Sequence, residues 1–224
     1  MAIIQFHKVG KVFHNGSIAV AALTDINLEV EEGEFVCIAG PSGSGKSTLL
    51  HLAGILDQPS AGDVLINGRV TGRFDKKAAA LFRREHIGFI FQRFNLIPVL
   101  TAFENVEYIL SLQDVPAHQR KKEVTKTLEA VGLAEFLHQK TGNLSGGQQQ
   151  RVAVARAIVA RPRIILADEP TGSLDSETGS ALIELFKEIN GQQRTTFIFS
   201  SHDPLIISQA SRIVNLRDGG IVRG

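Results

Sequence analysis

One glycine-rich stretch decides the fold of this chain: Gly40-Pro41-Ser42-Gly43-Ser44-Gly45-Lys46-Ser47-Thr48. It matches G-x-x-x-x-G-K-[ST] in full, which is the pattern of a loop that surrounds phosphate groups. Glycines let backbone N–H groups turn inward, and a following helix adds its N-terminal donors and partial positive charge. The pattern therefore predicts that Lys46 reaches the β- and γ-phosphates of a nucleotide and that the Ser47 hydroxyl coordinates Mg²⁺.

The sequence on either side of this phosphate loop distinguishes it from a glycine turn that merely caps a helix. A strand is predicted at residues 34–39, before the loop, because residues 35–39 form an apolar run. After Lys46, apolar residues recur at the spacing of a helix, at Leu49, Leu50, Leu52, Ala53 and Leu56. A strand, a glycine loop and a helix in direct succession are the context that the pattern requires, so the phosphate-loop interpretation is favoured.

The rest of the chain predicts an α/β core with a helical insertion. Strands are predicted at residues 3–9, 26–30, 64–67, 87–91, 163–167, 195–200 and 212–216. Helices are predicted at residues 75–86, with Ala78, Leu81 and Phe82 on one side, and at 177–190. Between residues 102 and 160 the apolar residues form three helical stripes: Phe103, Val106 and Leu110; Val124, Leu128 and Val131; Val152, Ala155 and Val159.

These elements predict a P-loop NTPase core of the α/β class. We expect a mixed, mainly parallel sheet with an antiparallel β subdomain, plus an inserted α-helical subdomain, because continuously apolar strands are typical of parallel sheets covered on both faces. Residues 1–224 would form a single domain, with its core at 1–92 and 161–224 and the helical subdomain at about 93–160.

A pair of acids follows one of the apolar strands, in Ile164-Ile165-Leu166-Ala167-Asp168-Glu169-Pro170. A buried parallel strand delivers its carboxyl end to the ligand crevice of an α/β sheet. The pattern predicts that Asp168 holds Mg²⁺, directly or through water, and that Glu169 polarises a water for attack on the γ-phosphate. The alternative is an Asp-Glu pair that caps a turn or helix, which the phosphate loop in the same chain makes less favourable.

A second glycine-rich helix start occurs at Leu144-Ser145-Gly146-Gly147-Gln148-Gln149-Gln150-Arg151. Ser145 is the predicted N-cap. Two glycines weaken a helix, but they suit a helix start that must come close to an anion. For this segment on its own, plain capping would be the preferred interpretation.

The phosphate loop, the 144–148 segment and the Asp168-Glu169 strand end occur in the order found in ABC transporter nucleotide-binding subunits, which this chain resembles over essentially its whole length. Further matches support the resemblance. Gln92 is similar to the family's Q-loop glutamine, Ser173-Leu174-Asp175 to its D-loop, and His202 to its switch histidine. Phe13 stands where the family usually stacks adenine on an aromatic, often tyrosine; a packed strand-edge aromatic is the alternative.

The resemblance implies a head-to-tail homodimer with ATP between one phosphate loop and the partner's 144–148 segment. It implies that Glu169 is the general base and that His202 contacts the γ-phosphate. It also implies that Gln92 senses Mg²⁺ and the attacking water, and that Asp175 lines the dimer interface. The implied catalytic residues are Lys46, Gln92, Glu169 and His202, and the implied Mg²⁺ ligands are Ser47, Gln92 and Asp168. The implied nucleotide-binding residues are Phe13, residues 40–48, Leu144, Ser145, Gly146, Gly147, Gln148 and Asp175.

Residues 92–98, 100–106 and 167–175 are similar to the macrolide-export and lipoprotein-release group of these ATPases, and residues 148–151 favour the macrolide-export side. That likeness implies a separate membrane permease docked near residues 94–112 and a peripheral place on the cytoplasmic face of the inner membrane. Through the permease, it implies a periplasmic or outer-membrane component. The alternative is a regulatory ATPase that switches a membrane partner, such as a cell-wall hydrolase activator, without moving cargo.

Composition sets limits on the function. The 224 residues are 43% hydrophobic and 21% charged, with a net charge of +1, so no nucleic-acid partner is predicted. The N-terminus does not read as a signal peptide, and no apolar run reaches the roughly 18 residues of a membrane span. The one cysteine, Cys37, is predicted to be a buried, inert thiol. The basic stretch at residues 69–84 is interpreted as a solvated helix face rather than a contact with lipid headgroups or an acidic partner.

Overall fold

The phosphate loop joins a strand to a helix, as the sequence predicts. The computed structural model describes residues 1–16 and 18–222. Within them the strands are β1 (Ala2–Asn15), β2 (Ile18–Glu31), β3 (Phe35–Ala39), β4 (Ala61–Ile66), β5 (Arg69–Val70), β6 (Ile87–Ile90), β7 (Ile164–Asp168), β8 (Thr196–Ser200), β9 (Arg212–Arg217) and β10 (Gly220–Val222). The α-helices are α1 (Lys46–Ala53), α2 (Lys76–His86), α3 (Ala102–Leu112), α4 (Ala117–Ala130), α5 (Gly146–Ile158), α6 (Ser176–Gln193) and α7 (Pro204–Gln209).

The strands form two sheets. An antiparallel sheet has the order β2-β1-β4-β5, and a six-stranded sheet has the order β10-β9-β3-β8-β7-β6. In the second sheet, β10 and β9 pair antiparallel, and the other four pairs are parallel. The predicted mixed, mainly parallel sheet with an antiparallel β subdomain is therefore confirmed.

Strand β3 shows how the six-stranded sheet separates two cores. Phe35 and Cys37 pack into the core shared with α3 to α6, whereas Val36 and Ile38 pack into the core shared with the antiparallel sheet and α1. Alternate residues of a strand point to opposite faces, so a strand covered on both sides must be apolar throughout. All five residues of β3 and of β8 are buried.

The helical insertion lies between β6 and β7 and comprises α3, α4 and α5. The predicted stripes are confirmed: they are buried except for Phe103, which is partly buried against the same core. The subdomain limits at 93 and 160 stay a prediction.

The first helix is shorter than predicted. It ends at Ala53, and Leu56 is 41% exposed, so the inclusion of Leu56 was wrong. Gly54 follows the helix in a crowded position, where a Cβ atom would lie 1.9 Å from the Phe89 ring. The close approach of the Phe89 ring thus requires a glycine at the end of α1.

The buried face of α2 also differs from the prediction. Ala79 and Phe82 are buried, whereas Ala78 and Leu81 are exposed. The face is set by aromatic packing, because the Phe82 ring lies 5.4 Å from that of Phe74 and 4.5 Å from that of His86. The helix begins after Asp75, whose carboxylate accepts a hydrogen bond from the Ala78 N–H.

The N-terminal strands are longer than residues 3–9 and 26–30, because β1 and β2 form one long hairpin. Its register shifts between Phe6 and Val9, between Val9 and Lys11, and between Lys11 and Val12. Bulges interrupt the alternation of polar and apolar residues, which removes the signal that sequence analysis uses. The short elements β5, β10 and α7 were not predicted at all.

The basic stretch at residues 69–84 is divided by the structure. Arg83 donates to the Ile55 carbonyl at 2.8 Å, and Arg84 donates to the Leu112 carbonyl at 2.9 Å. The remaining cations of the stretch, Arg69, Arg73, Lys76 and Lys77, are exposed. Most of the stretch is therefore exposed to solvent, whereas its last two arginines connect α2 by hydrogen bonds to the chain after α1 and to the end of α3.

Cys37 is fully buried, as predicted. Burial, with a smaller contribution from the Glu169 charge, raises the pKa of its thiol to about 11. Since the thiolate is the reactive form of cysteine, this thiol is unreactive at neutral pH. No helix in residues 1–16 and 18–222 has the length and apolar character needed to cross a bilayer.

Candidate active site

A cleft of about 510 Å³ lies at the carboxyl ends of β3, β7 and β8. Parallel strands end at the same edge of their sheet, so the residues after each strand meet there. The cleft is lined by Ala22, Gly40, Pro41, Ser42, Gly43, Gly45, Lys46, Ser47, Thr48, Gln92, Asp168, Glu169, Ser200 and His202. Twelve of these fourteen were expected from the sequence; Ala22 and Ser200 were missed, although Ser200 ends an apolar strand as Asp168 does.

The backbone at Gly45 shapes the phosphate loop. Gly45 has φ 103°, in the left-handed region, and directly precedes α1. A Cβ atom there would lie 2.5 Å from the Ala22 carbonyl oxygen, so no larger residue fits. Because glycine has no side chain with which to cap the helix, the first backbone N–H groups of α1 remain available to an anion.

Lys46 is a buried cation without a balancing negative charge among its hydrogen-bond partners. The residue is 9% exposed, and its Nζ donates to the Gly40 oxygen at 2.8 Å and to the Pro41 oxygen at 2.9 Å. Both acceptors are neutral carbonyls, which compensate a buried ammonium only in part. A phosphate in the cleft would supply the missing charge.

The acidic strand end brings Glu169 against His202. Glu169 Oε1 lies 2.7 Å from His202 Nδ1, and Glu169 Oε2 accepts a hydrogen bond from the Ser201 hydroxyl at 3.0 Å. The Glu169 side chain is 13% exposed and that of His202 is 80% exposed. The parallel pairing of β7 with β8 places Asp168 opposite Ser200, and this register brings Glu169 close to His202.

A second layer of hydrogen bonds supports the pair. The Ser201 hydroxyl accepts from the Asp203 N–H at 3.1 Å, and the Asp203 carboxylate accepts from the Thr171 hydroxyl at 2.5 Å. Ser201, Asp203 and Thr171 were not predicted from the sequence as site residues. The only available signal was that Ser201 and Asp203 flank His202.

The chemistry of the cleft fits Mg²⁺. Ser47, Gln92 and Asp168 offer a hydroxyl, an amide and a carboxylate oxygen in one cleft. The ion usually takes one or two carboxylates together with phosphates and water. The Ser200 hydroxyl of the cleft and the Ser44 hydroxyl of the phosphate loop are buried without a hydrogen-bond partner in the described residues. Within residues 1–16 and 18–222 there is no cluster of three or more His, Cys, Asp or Glu that could hold a metal.

The 144–148 segment and Asp175 form a second group of predicted site residues, which do not line the cleft. Ser145 caps α5 in a capping box with Gln148, which confirms the predicted N-cap. A Cβ atom at Gly147 would lie 3.4 Å from the Leu174 side chain, so the 144–148 segment adjoins the Ser173-Leu174-Asp175 loop. Neither this segment, nor Asp175, nor Phe13 is among the described residues that line the cleft.

Asp175 caps α6. It accepts hydrogen bonds from the Thr178 N–H at 2.9 Å and the Thr178 hydroxyl at 2.8 Å. Both hydrogen bonds lower the pKa of the Asp175 carboxyl, and the bond from the N–H has the larger effect. Asp175 is therefore an exposed, ionised residue at the start of a helix.

Comparison with known proteins places these features in a family. Residues 23–172 match the family model described as ABC transporter. An ABC transporter ATP-binding protein of Thermotoga maritima is 46% identical over 98% of this chain and 93% of its own length. The macrolide export ATP-binding/permease protein MacB 1/2 of Paracoccus denitrificans is 43% identical over 98% of this chain, which spans only 33% of that longer protein.

A solved structure agrees with the fold. The ATP-binding cassette MJ0796, from Methanocaldococcus jannaschii, was solved as a dimer in a post-hydrolysis state with ADP and Pi. It has a TM-score of 0.95 and 43% identity, with 98% of this chain and 97% of that chain covered. The match extends over both sheets and the helical insertion, and the chain therefore belongs to the ABC transporter family, as an ATP-binding and ATP-hydrolysing domain.

Proposed function

We propose that the cleft binds ATP with Mg²⁺, that Glu169 and His202 direct hydrolysis, and that a head-to-tail dimer of this chain powers a separate membrane subunit. The observation that carries the catalytic part is the 2.7 Å contact between Glu169 and His202, in the same cleft as the buried ammonium of Lys46. A base, a cation for the phosphates and an orienting histidine meet at one place.

Each cleft residue has a distinct task in this proposal. Lys46 and the backbone N–H groups of the phosphate loop bind the β- and γ-phosphates. Glu169 accepts a proton from the attacking water, whose oxygen bonds to the γ-phosphorus as the bond to the bridging oxygen of ADP breaks. His202 contacts the γ-phosphate, and Ser201 holds the second carboxylate oxygen of Glu169.

Ser47, Gln92 and Asp168 are the residues that would hold Mg²⁺, which when bound neutralises charge on the β- and γ-phosphates. Gln92 also senses the attacking water in this proposal. It follows β6 at the start of the chain segment that leads into the helical insertion, so a change at the phosphates can reach the helices through it.

The dimer accounts for the residues outside the cleft. The cleft is open, and the 144–148 segment and Asp175 lie elsewhere on the same chain. A second copy in head-to-tail arrangement would place its 144–148 segment over the first copy's phosphate loop, with Asp175 in the interface. Phe13 would stack the adenine. The similar cassette MJ0796 was solved as a dimer, which supports the formation of a dimer by this chain.

Cross-linking between two variants that each carry one introduced cysteine tests the head-to-tail arrangement. Ser42→Cys and Gly146→Cys each place a thiol at an exposed position, and a side chain at Gly146 meets no neighbour within 4 Å. The native Cys37 is buried and does not compete. We expect a mixture of the two variants, with ATP and a short bis-maleimide, to form covalent dimers detected by denaturing electrophoresis.

Each variant alone is the matched control and should remain monomeric on the same gel. Equal dimer formation by either variant alone would contradict the head-to-tail arrangement, since two phosphate loops, or two 144–148 segments, would then face each other.

The proposed docking site for the membrane subunit is a groove of about 380 Å³ between α2, β6, α3 and α5. Its rim carries exposed apolar side chains: Ile97 is 39% exposed, Tyr108 48% and Leu112 43%. Exposed apolar surface of this kind suits a partner helix. Docking here would hold the chain at the cytoplasmic face of the inner membrane, with any periplasmic or outer-membrane component reached through the permease.

The macrolide-export type of transport is proposed from the MacB relatives, which carry an ATP-binding part and a permease in one protein. Reconstitution of this chain with its membrane subunit in liposomes tests it. We expect ATP-dependent extrusion of cargo, absent when Glu169→Gln replaces the native chain. Activation of the partner without any cargo movement would instead support the regulatory alternative.

A further inference from the structure

The Phe13 ring has a cation close to it. Lys11 Nζ lies 4.9 Å from the centroid of the Phe13 ring. At this distance the quadrupole of an aromatic ring attracts an ammonium group. Phe13 is still 45% exposed, so the ring keeps surface that a planar ligand can cover.

Lys11 is itself held in place. Its Nζ donates to Asp57 Oδ1 at 2.7 Å and to the Gln58 carbonyl at 2.9 Å, and its side chain is only 11% exposed. Burial on its own would raise the pKa of the Asp57 carboxyl. The hydrogen bonds that it accepts from Lys11 and from the Gln58 N–H have the opposite and larger effect, so the pKa is lowered. The Asp57 carboxylate is therefore ionised at neutral pH, and the Lys11 Nζ leaves the ring only by breaking two hydrogen bonds.

The ring also lies near the cleft. Val12 pairs with Ala21 and Phe13 pairs with Val20 across the hairpin of β1 and β2. Ala22, the next residue of β2, lines the cleft that holds the phosphate loop. A nucleotide with its phosphates on Lys46 would thus extend toward this part of the hairpin.

We infer that Lys11 is a positioning residue for the nucleotide base, acting through the Phe13 ring. This inference rests on the proposed stacking of adenine on Phe13. Immobilising a mobile side chain on binding costs conformational entropy, and a ring already held by a cation avoids part of that cost. Phenylalanine has no hydroxyl through which a hydrogen bond could fix it, so the ring is held through its π-system instead.

Binding of ADP and of inorganic pyrophosphate, compared by calorimetry in the full chain, separates base recognition from phosphate recognition. For Lys11→Met we expect the Kd of ADP to rise about three- to fivefold, the size of a partly exposed cation–π contact, with the Kd of pyrophosphate unchanged. Lys11→Arg keeps the cation and should keep most of the ADP affinity. Lys8→Met, an exposed lysine of the same strand, is the matched control and should change neither value.

Phe13→Leu distinguishes failure of this inference from failure of the stacking proposal. If Phe13→Leu weakens the binding of ADP and Lys11→Met does not, the role of Lys11 is refuted and the stacking proposal stands. If Phe13→Leu leaves ADP affinity unchanged, adenine does not stack there and both ideas fail. A double variant that binds ADP no more weakly than Phe13→Leu supports the inference. Equal loss of ADP and pyrophosphate binding by Lys11→Met would refute it, because the effect would then not be specific to the base.

Discussion

Glu169→Gln is expected to bind ATP with nearly native affinity and to hydrolyse it about 10²- to 10⁴-fold more slowly, the usual loss when a general base is removed. The amide has the size of the carboxylate, and its oxygen can still accept a hydrogen bond from Ser201 or His202. It cannot take a proton from water at neutral pH. Because hydrolysis reopens the proposed dimer, the variant should accumulate as a dimer when ATP is present.

Two measurements check this result: steady-state phosphate release, and light scattering after size-exclusion chromatography with and without ATP. Glu184→Gln is the matched control, because that side chain is 72% exposed on α6 and does not line the cleft. It should hydrolyse ATP at the native rate. Native turnover by Glu169→Gln would rule out Glu169 as the base.

Lys46→Met is expected to lower nucleotide affinity by about ten- to hundredfold, the size of a hydrogen bond to a charged group. The methionine fills the space of the lysine stem but brings neither charge nor donors to the phosphates. The fold should survive, because the native ammonium bonds only to two neutral carbonyls and no buried carboxylate is left unpaired by its removal.

Calorimetric titration with ADP gives the affinity, and thermal unfolding reports on the fold. Lys76→Met changes an exposed lysine in the first turn of α2 and should leave the ADP affinity as it is. Native affinity in a folded Lys46→Met variant would mean that the loop backbone binds the phosphates without the lysine.

The features predicted correctly from the sequence are those that require particular residue types at a fixed short spacing. The phosphate loop lies within nine consecutive residues, and both helix starts at Lys46 and Gly146 follow from their glycine or serine caps. Prediction from the sequence failed where packing decides. The buried face of α2 depends on the rings of Phe74 and His86 around Phe82, and the end of α1 depends on the Phe89 ring above Gly54. Neither contact leaves a periodic pattern in the sequence.

The hydrogen bonds that support Glu169 could not be predicted from local patterns either. Ser201 is 32 residues away in the chain, as Asp203 is from Thr171, and no spacing rule connects them. Family resemblance supplied Gln92, Asp175 and His202 as candidates, whereas Lys11 became a candidate only through its contacts with Phe13, Asp57 and Gln58.

Residue types and their order along the chain were enough to predict the phosphate loop, a sheet covered on both faces and the family resemblance. Only the folded chain shows which distant residues share the cleft: the pairing of β7 with β8 brings Glu169 to His202, whereas residues 144–148 are not among the described residues that line it. The physical reason is that such contacts depend on strand order and side-chain packing between segments far apart in the chain. A local pattern does not contain that information.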